Sequence, residues 1–353
     1  MGTVTELPNV SQPGSRTLPG VDLDLLTSWL DSAKPGLRQG ELVGEVIVGG
    51  KSNLTYRITD GANRWALRRP PLAHVLPTAH DMVREYRVIS ALTGSSVAVA
   101  EPVALCRDPE LLGAPFYLMG FVDGVVLDRD QDVAAVTPPQ ATSAGEALID
   151  TLVALHSIDP NEVGLADFGR PVGYLQRQVS RWHKQWDASE TRPLDIFAQV
   201  VDELTNSIPD SETPAIVHGD YRMTNVIFDP DFGRVAAVVD WEMATLGDPL
   251  TDIGLLAVYH RLALESGSVM PKMTPSAGFL SPDELLARYA AGSGRDLSDL
   301  SWYVAFGYFK LAVVGEGIAA RFAQGKTVGP GFAEVAASVP ALLESAHAEL
   351  TKG

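Results

Sequence analysis

The run His218-Gly219-Asp220-Tyr221-Arg222-Met223-Thr224-Asn225, followed by Asp240-Trp241-Glu242, is the strongest chemical signal in the sequence. Phosphoryl transfer asks little covalent work of a protein. It asks for a carboxylate that orients the attacking hydroxyl and for oxygen ligands that hold magnesium on the phosphates. Asp220 suits the first task, and Asn225 and Asp240 suit the second. Asp220 and Asn225 share a tight loop that can aim both side chains into one cleft. The turn Asp229-Pro230-Asp231-Phe232-Gly233, between Val226–Phe228 and Val235–Val239, predicts a hairpin that returns the chain with Asp240 at its end. Two literal Asp-Phe-Gly triplets do not compete for the metal. Asp167-Phe168-Gly169 precedes the loop, and Asp231-Phe232-Gly233 is the hairpin turn itself.

The elements that must position these residues fall into two halves. Val21 to Ala33 predicts a helix. Glu41 to Val48, Leu54 to Ile58 and Arg64 to Leu67 predict short strands, punctuated by Gly49-Gly50 and Asp60-Gly61. A helix over Asp81 to Leu92 and strands over Val97 to Leu105 and Phe116 to Phe121 complete a small antiparallel sheet with one inserted helix. From Thr142 onward the pattern is mostly helical, apart from the hairpin segment Ala215 to Trp241. The expectation is an α+β chain with a disordered tail at 1–20, a sheet-rich lobe at 21–122 and a helical lobe at 123–353. Of the 353 residues 46% are hydrophobic, and the net charge is -17, which disfavours general binding to nucleic acid or anionic membrane. Cys106 is the single cysteine, so no internal disulfide forms, and a lone thiol suits a reducing cytoplasm. The apolar stretch Trp302 to Phe322 is interrupted by Lys310, Glu316 and Arg321 and reads as a buried helix rather than a membrane span.

The HGD-x4-N loop and the Asp-Trp pair resemble the aminoglycoside phosphotransferase and choline kinase superfamily over roughly Gly44 to Arg321. The resemblance is closest to the branch that includes kinase-like domains attached to some acyl-CoA dehydrogenases. It implies a two-lobed protein-kinase-like fold and an ATP- and magnesium-dependent kinase acting on a hydroxyl of a small molecule. It also implies the sheet-rich lobe as the nucleotide side. Arg222, two positions after Asp220, matches a place where protein kinases commonly carry a cation facing the transferring phosphate; a plain surface arginine is the other reading. Gly49-Gly50-Lys51-Ser52-Asn53 joins the first two strands. It matches a loop that covers phosphates with backbone N–H groups, with Ser52 and Asn53 as added donors, although most Gly-Gly pairs are ordinary hairpin turns.

Glu85 lies on one helical face with Met82, Ile89 and Leu92, and a carboxylate in an apolar stripe is costly unless paired. The kinase pattern supplies a third-strand cation as its partner, here Arg68 in place of the usual lysine. Arg68 would also touch the phosphates; a plain strand-end cation is the alternative. Phe116 to Val122 matches the strand leading into the hinge, which implies adenine bonded to backbone near Met119 to Phe121, although an apolar strand by itself reads simply as core. In Gly247-Asp248-Pro249-Leu250-Thr251-Asp252 both acids are expected to brace the catalytic loop, with a helix cap as the other reading of Asp248.

Substrate choice belongs to the helical half. Between Arg170 and Trp186 stand Arg170, Arg177, Arg181 and Lys184 and no acid, with Leu175, Val179, Trp182 and Trp186 forming a separate apolar stripe. A solvated helix face explains this, and so does a site for an anionic hydroxy compound such as a hydroxyacyl-CoA. The overall acidity keeps an aminoglycoside or amino-alcohol open. The arginine at position 68 keeps open a nucleotide-binding pseudokinase.

Overall fold

The computed structural model describes residues 17–47, 53–72, 81–210, 213–264, 273, 277–325 and 332–352. The chain forms two units, Met1–Asp123 with Ala237–Glu242, and Gly124–Ala236 with Met243–Gly353.

In the first unit β1 (Thr17–Leu18) pairs with β2 (Val21–Asp22), so the end of the expected tail is structured. Asp22 accepts hydrogen bonds from the N–H groups of Asp24 (2.9 Å) and Leu25 (3.0 Å). This cap starts α1 (Leu23–Ala33) two residues later than the apolar spacing predicts. β3 (Val43–Ile47), β4 (Leu54–Thr59) and β5 (Arg64–Arg69) follow, then α2 (Met82–Leu92) capped by Asp81. β6 (Pro102–Cys106), the short α3 (Pro109–Leu112) and β7 (Phe116–Gly120) complete the series. The five strands form one antiparallel sheet in the order β3-β4-β5-β7-β6. The expected strand over Val97 to Leu105 is shorter and later. Ala98 gives its carbonyl to Val238 N (2.8 Å), and the ladder with β7 begins only at Pro102, followed by a register shift. Tyr56, Ile58, Leu67, Phe116 and Leu118 pack with Leu26 and Leu30 of α1 in the core of this unit.

The second unit holds α4 (Asp130–Ala134), α5 (Pro138–Ser157), α6 (Tyr174–Asp187), α7 (Asp195–Asn206) and β8 (Ala215–Val217). β9 (Val226–Phe228) leads through a turn to β10 (Val235–Val238), the hairpin read from the sequence, whose residues from Ala237 onward belong to the first unit. β11 (Thr245–Gly247), α8 (Leu250–Leu264), α9 (Pro282–Ser293), α10 (Leu300–Ala323) and α11 (Phe332–Leu350) end the chain. α10 is mostly buried, packing on α6, α8 and α11, as its interrupting charges implied. The layout is the expected α+β one, sheet first and helices after.

Candidate active site

The second unit builds the loop at 218–225 on a backbone scaffold. β8 and β11 pair antiparallel, Val217 opposite Thr245 and Ala215 opposite Gly247. Asp252, in the first turn of α8 and fully buried, accepts the N–H groups of His218 (2.7 Å) and Gly219 (2.8 Å), and His156 Nε2 stands 3.3 Å from the same carboxylate. Burial alone would raise the pKa of Asp252; the bond from His156, the positive potential of the two histidines and the backbone donor outweigh it and lower it. Gly219 adopts a φ of 83°, and a Cβ there would meet Met243 O at 2.7 Å, so this corner admits only glycine. Asp248 accepts Leu250 N (3.0 Å) and the hydroxyl of Tyr303 (2.9 Å). Asp252 therefore braces the loop as expected, whereas these bonds of Asp248 cap α8 and hold Tyr303, the other reading that the sequence left open.

On this scaffold the Asp220 carboxylate is held at both oxygens. The Tyr259 hydroxyl donates to Oδ1 (2.6 Å), and Asn225 Nδ2 donates to Oδ2 (2.9 Å) and to the Asp220 carbonyl (2.8 Å). Arg222 Nε lies 3.5 Å from Oδ2, and its guanidinium carbon sits 5.1 Å from the centre of the Tyr259 ring. Burial, and then the charge of Asp220, push the Tyr259 phenol well above its ordinary pKa, which keeps it a donor. Lys310 of α10 reaches the carbonyl of Gly219, the residue before Asp220. Tyr259 and Lys310 were not among the residues read from the sequence, although Lys310 appeared there as a charge interrupting an apolar run.

The first unit gathers a second set. Arg68 donates from Nε to Glu85 Oε2 (2.7 Å) and from Nη2 to Asp240 Oδ1, so the pair expected from the apolar face of α2 forms and Asp240 joins it. Tyr117 donates to Glu85 Oε2 (3.0 Å), and Asn53 Nδ2 bridges Glu85 Oε1 (3.0 Å) and Glu242 Oε2 (3.1 Å). Burial opposes the charge on Arg68, but the carboxylates of Glu85 and Asp240 prevail and raise its pKa; burial pushes Glu85 upward. Asp240 holds a φ of 66°, in the left-handed region that side chains rarely enter, a kind of strain that clusters at functional sites. Asn53 is buried and faces inward to carboxylates; Gly49, Gly50, Lys51 and Ser52 lie outside the described residues. Met119 sits in register with Ala66 and Pro102, and Phe121 N donates to Arg64 O (3.1 Å) at the end of β7.

The basic face of α6 is exposed at Arg177, Arg181 and Lys184, while Leu175, Val179, Trp182 and Trp186 are buried, as the spacing predicts. Arg177 is occupied locally, donating to the carbonyls of Arg170 and Val172. Among the described residues no three His, Cys, Asp or Glu side chains gather as a metal cluster. Magnesium does not need one, because it keeps waters and substrate phosphates and takes one or two protein oxygens. Asn225 uses Nδ2 in its bonds and Asp240 uses Oδ1, which leaves one hard oxygen on each residue, so the donor types fit.

The chain is similar to proteins of known family along most of its length. Acyl-CoA dehydrogenase family member 11 of Gallus gallus is 34% identical over 334 residues, covering 92% of this chain and 43% of that protein. Its Mus musculus counterpart is 32% identical over 315 residues, covering 86% and 40%. The chain thus spans about two fifths of the length of these relatives. A solved structure from Ralstonia eutropha, carrying the provisional name aminoglycoside phosphotransferase, superposes with a TM-score of 0.81 at 31% identity, covering 94% of this chain and 98% of that one. A thermostable mutant of aminoglycoside phosphotransferase APH(4)-Ia, solved with ADP and hygromycin B, shares the fold at a TM-score of 0.59 and 15% identity, covering 94% and 99%. The resemblance carried by the His218 and Asp240 motifs holds, including its branch, and so does the protein-kinase-like fold. Residues 43–303 match the sequence model of the phosphotransferase enzyme family, and the chain belongs to that family.

Proposed function

We propose that this chain transfers the γ-phosphoryl group of ATP to a hydroxyl of a small anionic molecule. The observation that carries the reading is the Asp220 carboxylate, fixed from both sides by Tyr259 and Asn225 at the end of a loop held by buried Asp252. A carboxylate so held orients an acceptor hydroxyl and accepts its proton as the new bond to phosphorus forms. Arg222 stands beside Asp220, where a cation offsets charge developing on the transferred group. ATP with magnesium supplies the phosphoryl group and neutralises its charge. Asn225 and Asp240 are the proposed metal ligands, and Arg68, buttressed by Glu85, is the proposed phosphate contact. Nucleotide complexes among the structural relatives support ATP use.

For the acceptor, the exposed cations of α6 and the likeness to acyl-CoA dehydrogenase family members favour an anionic hydroxy compound, a hydroxyacyl-CoA among them. The Arg68–Asp240 ion pair favours a second reading, a nucleotide-binding pseudokinase in which that arginine occupies the metal ligand. ADP release with and without magnesium, over a panel of hydroxylated acceptors, separates the two. Turnover that falls by about 10²–10⁴ in Asp220→Asn supports the kinase. ATP binding with no turnover on any acceptor supports the pseudokinase.

A further inference from the structure

Lys310 is a buried amine with no counter-ion among the described residues. It lies on α10, 9% exposed, and donates to the carbonyl of Gly219. Among the described residues it makes no ion pair, and one carbonyl leaves two of its three N–H donors open. A buried charge is costly unless an opposite charge and hydrogen bonds compensate it. Burial lowers its pKa, the charges of Asp220 and Asp252 act against that, and Arg181 adds to the lowering. Neither acid comes within ion-pair distance of it.

Its surroundings are also short of acceptors. The ammonium sits 5.3 Å from the centre of the Trp182 ring, on α6, which packs against α10. Trp182 is 4% exposed, and its indole Nε1 is a buried donor with no partner. Buried polar atoms of this kind are uncommon and call for a partner from outside the chain, a water or a ligand group. Arg181, itself exposed, lies 5.7 Å from the centre of the same ring, with no ion pair among the described residues. Among the described residues two cations and an unpaired indole N–H thus meet at one ring, beside the loop residue that precedes Asp220, with no ion-pair partner.

We infer that Lys310, Trp182 and Arg181 form an oxyanion subsite of the acceptor, taking a carboxylate or phosphate ester carried a few bonds from the hydroxyl that faces Asp220. The inference rests on the kinase reading only for that hydroxyl. The subsite itself follows from the unpaired donors. It also moves the discriminating charge from the outer face of α6 to the buried amine of α10. Arg181 is the member that both share.

The test is binding to the full chain, followed by the indole ¹H–¹⁵N signal of Trp182 and assigned with Trp182→Phe. The probes are 3-hydroxybutyrate, glycerol 3-phosphate and inorganic phosphate, with glycerol as the neutral control. An oxyanion should move the Trp182 signal saturably and glycerol should not. Lys310→Met should weaken that binding by roughly tenfold or more, and Lys310→Arg should retain most of it. The tighter of the carboxylate and phosphate probes identifies the group the site takes. If Lys310→Met does not fold, Arg181→Ala, at an exposed position, should still weaken binding and reduce its salt dependence. The absence of a saturable shift with every oxyanion, or affinities unchanged in a folded Lys310→Met and in Arg181→Ala, overturns the subsite. ADP release is scored separately. Oxyanion binding together with ATP binding but no turnover on any acceptor sinks the kinase and leaves the subsite standing, whereas turnover on neutral acceptors with no oxyanion binding does the reverse.

Discussion

The hydroxyl of Tyr259 donates to Oδ1 of Asp220 at 2.6 Å, and the same ring carries the guanidinium of Arg222 at 5.1 Å from its centre. One side chain of α8 therefore sets the position of both groups proposed to face the acceptor. A hydrogen bond to a charged group contributes about 1.5–3 kcal/mol. Tyr259→Phe should lower kcat by roughly ten- to a hundredfold with little change in KM for ATP. Steady-state ADP release checks this beside a melting curve. A lower melting temperature with kcat intact would make Tyr259 a packing residue only.

Arg68 and Glu85 should be strongly coupled. Both are buried, and removing one member of a buried ion pair strands the other, at a cost of about 3–5 kcal/mol. Glu85→Gln and Arg68→Met should each depress stability, and the double change should cost less than the sum. Thermal unfolding of the four proteins measures the cycle, and strict additivity would mean that the pair contributes no mutual energy.

Reversing charge on α6 should separate its cations by role. Arg181→Glu should raise KM for an anionic acceptor, leave KM for ATP largely unchanged and flatten the salt dependence. Lys184→Glu should do little. Arg177→Glu should act through stability, because its guanidinium holds the carbonyls of Arg170 and Val172. Kinetics at low and high salt together with melting temperatures test all three. Equal effects of Arg181→Glu and Lys184→Glu would reduce the stripe to a solvated face.

Stability should fall on mild acidification through His260. Burial pushes its pKa down to about 4 from an ordinary 6.5, with its bond to the Leu256 carbonyl only partly offsetting this. Because the folded pKa is the lower one, the unfolded chain takes up the proton first. The contribution is complete above about pH 6.5 and is lost as pH falls toward 4, amounting to roughly 3 kcal/mol. Buried His156 shifts in the same direction. Unfolding midpoints at pH 7.5, 5.5 and 4.5 should therefore drop more steeply in the parent than in His260→Gln. Parallel slopes would show that the proton goes elsewhere.

What was legible in the sequence is what lies close together along the chain. Asp220 and Asn225 share one loop, and the hairpin that carries the chain on to Asp240 has its turn spelled out. Glu85 announced a partner because a carboxylate on an apolar helical face demands one, and the third strand supplied Arg68. Tyr259 and Lys310 were not legible as site residues. Each sits within a run of apolar residues, 39 and 91 positions beyond the atoms it touches, and only the packing of α8 and α10 delivers it. The sharper signal was already present. A lysine inside a buried helix is an unsolved electrostatic problem, as Glu85 was on α2, but no local pattern named its partner. Strand ends slipped where tertiary bonds overrode propensity, as at Ala98, whose carbonyl serves Val238 instead of extending β6.

Residues Ala237–Glu242 belong to the first unit although more than a hundred residues of the second precede them. A nascent chain leaving the ribosome therefore cannot finish the first unit when residue 123 emerges. Arg68 waits for Asp240, and Asn53 for Glu242, until the hairpin has been synthesised. The same threading constrains recombination. An exchange of halves between relatives with a single crossover near residue 123 would pair an Arg68 from one parent with an Asp240 from the other. A modular swap that preserves the ion pair needs three junctions, at 123/124, 236/237 and 242/243. Substitutions at Arg68 and Asp240 should accordingly be inherited together, as a linked pair spanning 172 positions of sequence.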